Sequence, residues 1–239
     1  MIRFSASETE RYLRHIDLEG FGAEGQRRLK AARVAVVGAG GLGSPALLYL
    51  AAAGIGHLCL IDADCVSLSN LQRQVLHSTA AIGTPKVESA RERLLALNPD
   101  IEVEVHQCML TSENAREILR GMDFVIEATD NFQSKYLIND VCTELGIAFS
   151  IGGVHHYSGQ TITCLPGTAT YRDVFPELPS PNDCTSCTEA GILGVVPGVI
   201  GTIQATEAIK SITGVGELLT NRLLMFDAQS MTFNTLNLR

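Results

Sequence analysis

The chain has 239 residues, enough for one large α/β domain, and its 46% hydrophobic and 18% charged content describes a globule with a sizeable core. A formal net charge of −8 argues against a general nucleic-acid or anionic-membrane binder, which would present a basic face, yet leaves room for a local cationic pocket. The N-terminus lacks the apolar stretch of a signal peptide, the apolar run Gly191 to Ile203 is interrupted by Pro197 and too short to span a bilayer, and seven cysteines placed like Cys59 and Cys142 in apolar segments suit the reducing cytoplasm.

Ser7-x-x-Glu10 has the capping-box pattern and predicts a short helix from near Glu8 that carries Arg11 and Arg14. A second helix is expected from about Gly20 to Ala32. Arg33-Val-Ala-Val-Val-Gly38 is a continuous apolar run of the kind buried on both faces of a parallel sheet. Gly40 to Gly43 opens a helix that stops near Gly54, and His57 to Asp62 reads as the next strand, which completes a βαβ unit. The alternation continues with a helix from Pro85 to Leu97, a strand from Ile101 to His106 and a helix from Asn114 to Arg120. Phe124 to Ala128 reads as a strand, Phe132 to Leu145 as a helix ended by Gly146, and Ile147 to Ile151 as a strand.

Beyond Gly159 the character changes. Gln160 to Leu165 reads as a strand, and Thr168 to Cys187 as a mobile loop rich in proline and polar residues. A buried apolar helix follows, then strands near Leu223–Phe226 and Thr232–Leu236. The fold class is therefore α/β: a Rossmann-like, doubly wound, mainly parallel sheet with an antiparallel C-terminal extension. One domain spans residues 1–239. Within it, 1–32 supplies N-terminal helices, 33–159 the nucleotide-binding core, and 160–239 the loop, buried helix and last strands.

Gly38-Ala-Gly40-Gly41-Leu-Gly43 matches the G-x-G-x-x-G fingerprint between a strand and a helix, where free backbone N–H groups and the helix dipole receive phosphate. Asp62, at the end of the second strand, is placed for a ribose hydroxyl pair. The structural alternative is that these glycines only permit close packing. The turn is not a Walker A loop, because Ser44 follows Gly43 with no lysine, so a triphosphate would need cations from elsewhere. Ser69, Asn70, Leu71, Gln72 and Arg73 follow one strand's carboxyl end, Lys86 opens the next helix, and Asp130-Asn131 follows another strand. Two cations and a carboxylate at one sheet edge suit a polyphosphate with a divalent cation. Singly, each has a plainer explanation: solvated charge for Arg73 or Lys86, a helix N-cap for Asp130.

With these residues the chain resembles the ThiF/MoeB/HesA family, bacterial relatives of ubiquitin-activating enzymes, over nearly its whole length. The resemblance rests on Arg11-Tyr-Leu-Arg14-His, the Gly38–Gly43 turn, Asp62-x-Asp64 through Ser69-Asn-Leu-Gln-Arg-Gln74, and Gly83-x-Pro-Lys86. It extends through Ala128-Thr-Asp130-Asn131, Glu189-Ala-Gly191 and Gln204 to Lys210. It implies an ATP-dependent adenylyltransferase acting on a ubiquitin-like sulfur-carrier protein with a Gly-Gly tail. The carrier carboxylate attacks the α-phosphate, giving an acyl adenylate and pyrophosphate.

The roles it implies are Gly41 and Asp62 for adenosine, Ser69 to Arg73 lining the pocket, Arg73 and Lys86 on phosphates, and Asp130 on magnesium beside Asn131. Arg14 would reach the neighbouring subunit's phosphates, which implies a homodimer. A cysteine desulfurase or another sulfur donor is a further expected partner. The family's structural zinc pairs fall at Thr170–Asp173, where cysteines are missing, and after the last strand, where the sequence stops; no structural zinc is therefore expected. Cys184-x-x-Cys187 is a different pair, and Cys187 matches a loop cysteine that in some relatives bonds covalently to the carrier, a nucleophile for sulfur handling. The thiamine-pathway carrier leads, with the molybdopterin carrier as the alternative and a cysteine-pathway carrier next. A tRNA-modifying dehydratase, an NAD-dependent oxidoreductase and a non-catalytic carrier-binding scaffold are more distant readings.

Overall fold

The computed structural model describes residues 3–179 and 191–238. The first helix, α1 (Ala6–Arg11), is capped by Ser5, not Ser7. The Ser5 side chain receives the Glu8 N–H, and the Glu8 carboxylate receives the Ser5 N–H at 2.8 Å. The expected box was two residues late because Ser-x-x-Glu occurs twice in Ser5 to Glu10, and burial decides between the two. Glu8 is buried and ion-paired to Lys30, whereas Glu10 is exposed. Arg14 is not on α1 but on a separate turn of helix, α2 (Leu13–Ile16), and α3 (Gly22–Ala31) follows.

Eight strands form one sheet: β1 (Arg33–Val37), β2 (His57–Ile61), β3 (Glu102–His106), β4 (Phe124–Glu127), β5 (Ala148–His155), β6 (Ser158–Cys164), β7 (Arg222–Asp227) and β8 (Thr232–Asn237). Their order is β3-β2-β1-β4-β5-β6-β7-β8; the first five run parallel and the last three join antiparallel. The remaining helices are α4 (Gly43–Ala53), α5 (Lys86–Leu97), α6 (Ala115–Leu119), α7 (Phe132–Leu145), α8 (Tyr171–Val174) and α9 (Val195–Thr213).

Alternate residues of each central strand serve opposite layers, as strand geometry requires. Val34 and Val36 of β1, Leu58 and Leu60 of β2, and Phe124 and Ile126 of β4 pack with α3, α4, α5 and α9. Ala35 and Val37, Cys59 and Ile61, and Val125 pack with α6, α7 and α8 on the other face. Burial on both faces is why these strands read as unbroken apolar runs. Cys59, Cys142 and Cys164 are fully buried, and burial pushes each thiol up to about 12, so they behave as small hydrophobes.

Further segments depart from expectation. The strand expected over Ile147–Ile151 continues to His155, because its second half pairs with β6. The stretch after Thr168 is not all loop: α8 sits in it, with a capping box in which the Asp173 carboxylate accepts the Thr170 N–H at 2.7 Å and its hydroxyl at 2.9 Å. The apolar helix, expected around Gly191 to Ile203, runs from Val195 for 19 residues. Pro197 sits in its first turn, where no backbone donor is needed. None of the described helices is long and apolar enough to cross a membrane.

Candidate functional site

In an open α/β sheet the crevice for ligands lies outside the strand carboxyl ends where the winding reverses. Here that point falls between β1 and β4, whose neighbours lead away in opposite directions. The Gly38–Gly43 turn leaves β1, and the Ala128–Asn131 loop leaves β4, so the topology alone brings the two together. Gly38 has φ +100°, and a side chain there would come 2.7 Å from the Ala128 carbonyl oxygen. A Cβ at Gly43 would run into the Gly38 carbonyl oxygen. Gly43 therefore serves the strand–helix packing and does not line the cleft, whereas Gly38, which makes the turn, lines it together with Gly40 and Gly41.

The cleft encloses about 260 Å³. Its floor is Gly38, Gly40 and Gly41; one wall carries Asp62, Asp64 and Lys86; the opposite wall carries Thr129, Asp130 and Asn131. Met109 and Leu110, just past β3, and Pro197 of α9 supply apolar surface. Asp62 accepts the Ala39 N–H and the Asp64 N–H, each at 2.8 Å, which ties β2 to the glycine turn and leaves lone pairs for a ligand. Lys86 has its Nζ 2.8 Å from the Asp64 carboxylate. Arg73 rests its stem over Gly41 and donates to the Ser69 carbonyl at 3.1 Å. Asp130 is exposed and makes no hydrogen bond or ion pair with the described residues. It is not the helix cap: Asn131 caps α7 by accepting the Ser134 N–H at 2.8 Å.

Gly38, Gly40, Gly41, Asp62, Arg73, Lys86, Asp130 and Asn131 thus meet in one cleft. Ser69, Asn70, Leu71 and Gln72 do not line it. Asn70 instead closes a capping box with Ser67 over the single turn Leu68–Asn70, and Gln72 packs against Gly194 at the start of α9. Arg14 is exposed on α2, lies outside its own chain's cleft and has no polar partner among the described residues. Cys184 and Cys187 lie outside the described residues. The expected cationic pocket is in fact mixed: the charged groups lining it are Asp62, Asp64 and Asp130 against Arg73 and Lys86.

Sequence reasoning missed several contributors. Asp64 and Gln74 stood in the quoted motifs with no role assigned, yet both line the cleft. His77 bridges the Ala39 carbonyl and the Ser89 hydroxyl, both at 2.9 Å, joining the glycine turn to the helix that starts at Lys86. Burial, reinforced by the Lys86 charge, pushes its imidazole below the ordinary range, so the neutral ring donates from Nε2 to the carbonyl and accepts at Nδ1. No sequence motif marks His77, because its partners are brought together only by tertiary structure. A separate cluster, Cys59, Glu104 and His106, lies across β2 and β3. The Glu104 carboxylate receives the His57 and His106 Nε2 atoms at 2.9 Å each, so both of its oxygens are engaged.

A model of the ThiF family matches residues 12–239. Over 238 residues the chain is 47% identical to the SAMP-activating enzyme E1 of Haloferax volcanii, covering 100% of this chain and 88% of that protein. It is 45% identical over 244 residues to the sulfur carrier protein adenylyltransferase of Thermus thermophilus, covering 100% of this chain and 90% of that protein. Among solved structures, E. coli MccB crystallised with AMPCPP and MccA is similar with a TM-score of 0.84 at 25% identity, over 99% of this chain and 74% of that one.

Proposed function

The chain belongs to the ThiF family, and on that premise we propose that it is an ATP-dependent adenylyltransferase that activates the C-terminal glycine carboxylate of a ubiquitin-like sulfur-carrier protein. One observation carries the reading: a glycine-rich turn with open backbone donors shares a cleft with Arg73, Lys86 and a carboxylate, Asp130, that no described residue engages.

Adenosine would lie along Asp62, Met109 and Leu110, with its ribose on the Asp62 carboxylate and its phosphates toward the glycine turn. The incoming carboxylate oxygen forms a bond to the α-phosphorus, and the bond from that phosphorus to the bridging oxygen breaks, so pyrophosphate departs with the electron pair. The nucleophile is already ionised and needs no general base. Arg73 and Lys86 neutralise charge gathering on the phosphate oxygens, and Lys86 is pre-aimed by Asp64.

Three carboxylates facing two cations cannot by themselves balance a polyphosphate. Asp130, an exposed hard oxygen donor, suits magnesium, which when bound supplies part of the missing positive charge. Arg14 of a second subunit would supply the rest, in a homodimer with two composite sites. Of the carriers, we take a ThiS-like protein of thiamine biosynthesis as the substrate and a MoaD-like protein of molybdopterin biosynthesis as the alternative. A cysteine desulfurase or other donor would deliver sulfur afterwards, in the cytoplasm, with Cys187 serving that later step.

The test is magnesium-dependent ATP–pyrophosphate exchange with each candidate carrier. The expected result is exchange that appears with one carrier and vanishes when its last glycine is removed. ATP binding with no exchange for any Gly-Gly carrier would remove the carrier reading, and absence of ATP binding would remove the adenylating one.

A further inference from the structure

Behind the Asp130 loop, away from the cleft lining, lies a buried ion pair that the proposed chemistry does not use. Glu127, the last residue of β4, is fully buried, and Lys135, one turn into α7, is 8% exposed. All three Lys135 ammonium hydrogens are taken: by the Glu127 carboxylate at 2.6 Å, the Thr129 carbonyl at 2.9 Å and the Gly152 carbonyl of β5 at 2.6 Å. The other Glu127 oxygen accepts the Thr129 N–H at 2.8 Å and the Thr129 hydroxyl, and Gln204 of α9 donates to the Glu127 carbonyl at 2.8 Å. Burial pushes the Glu127 carboxyl up, and Lys135 and Thr129 oppose that push. Thr129 is thus held at its N–H, its hydroxyl and its carbonyl, one residue before Asp130.

Salt bridges of this depth are seldom retained for stability, because removing two charges from water offsets most of their attraction. What this one achieves is geometric. Among the described residues Asp130 has no hydrogen bond or ion pair to fix it, so its position follows from the backbone on either side: Thr129 behind it and the Asn131 cap ahead. We propose that Lys135, with Glu127, is a positioning residue that fixes the Ala128–Asn131 loop and thereby sets where the Asp130 carboxylate meets the magnesium-bound nucleotide. Lys135 touches neither nucleotide nor metal. The inference rests on the reading of the cleft as an ATP site.

The variants are Lys135→Arg, which keeps charge and donors, and Glu127→Gln/Lys135→Met, which removes both charges together and leaves no lone buried carboxylate. Two properties of the full chain are read: hydrogen exchange at 129–131 without nucleotide, and the magnesium dependence of ATP binding by calorimetry. In the double variant, exchange at 129–131 is expected to quicken by about tenfold. The magnesium needed for half-maximal enhancement of binding should rise by about tenfold, the scale seen when a metal ligand loses its support. Magnesium-free ATP affinity should stay within about twofold and Lys135→Arg close to wild type, since the glycine turn, Arg73 and Lys86 are untouched.

Unchanged exchange at 129–131 overturns the proposal. So does a loosened loop with an unchanged magnesium requirement, the outcome of a purely structural pair. If the double variant does not fold, Glu127→Gln alone carries the same test, with the same direction and the same overturning results. If wild-type protein binds no ATP, the adenylating reading is what fails, and hydrogen exchange alone decides on the clamp.

Discussion

His77 shows how one side chain can link two elements of the cleft without lining it. Its ring is held neutral by burial while it joins the glycine turn to α5. Because the folded-state pKa lies below the ordinary 6.5, the unfolded chain takes up a proton first as pH falls. The stability His77 contributes is therefore complete above about pH 6.5 and is lost as pH drops through the lower folded value. His77→Gln keeps a donor for the Ala39 carbonyl but cannot titrate. It should cost about 1 kcal/mol at neutral pH for the lost Ser89 bond and flatten the fall in Tm between about pH 7.5 and 5.5. Parallel melting profiles for variant and wild type would show that another group titrates there. Residues of this kind were the least legible in the sequence. Arg73 and Asp130 could be picked out because they fall in connections beyond a strand's carboxyl end, and Lys86 because it opens the next helix. His77 and Lys135 act through partners 38 and 17 residues away, and local pattern carries no trace of that.

At the scale of elements, the sequence was most readable where burial is two-sided. The limits expected for β1, β2 and β4 agree with the structure to within one residue, since a doubly covered strand leaves an unbroken apolar run. It was least readable at termini with rival caps, as at Ser5 and Ser7, and in α9, whose glycines and proline disguise 19 residues of helix. The glycine turn offers a test that separates its two duties. Gly43 has no room for a Cβ against the Gly38 carbonyl, whereas a Cβ at Gly40 would meet only the Gln74 amide nitrogen at 3.6 Å, an ordinary contact. Gly43→Ala should therefore destabilise the fold by about 3 kcal/mol or more and lose ATP binding with it. Gly40→Ala should change stability by under about 1 kcal/mol yet weaken ATP at least about tenfold, because a phosphate bound as we propose would need the bare backbone at that position. Thermal unfolding and calorimetric titration of both variants check this; an ATP affinity untouched by Gly40→Ala would mean the phosphates do not lie on the turn.

At the scale of the molecule, the cleft is short of positive charge for the polyphosphate we propose, while an arginine with no polar partner among the described residues stands elsewhere on the same chain. Arg14 projects from α2, is exposed and has no counter-ion among the described residues, and the cleft holds more carboxylates than cations. The two-fold symmetric dimer we propose would resolve both facts at once, since each Arg14 would then finish the partner's site. The arrangement predicts complementation between two dead proteins. Arg14→Ala lacks the donated cation and Asp130→Ala lacks the metal ligand, so each homodimer should show almost no exchange. Co-expressed with different tags and purified through both, the mixed dimer has one site built from the intact core of the Arg14→Ala chain and the Arg14 of its partner. That site should restore about half of wild-type exchange per dimer, one of two sites in a two-fold assembly. If Arg14 acted within its own chain, each site of the mixed dimer would still lack one group and exchange would stay near zero. Failure to recover any doubly tagged species would instead remove the dimer, and the cleft would have to draw its missing charge from the carrier protein.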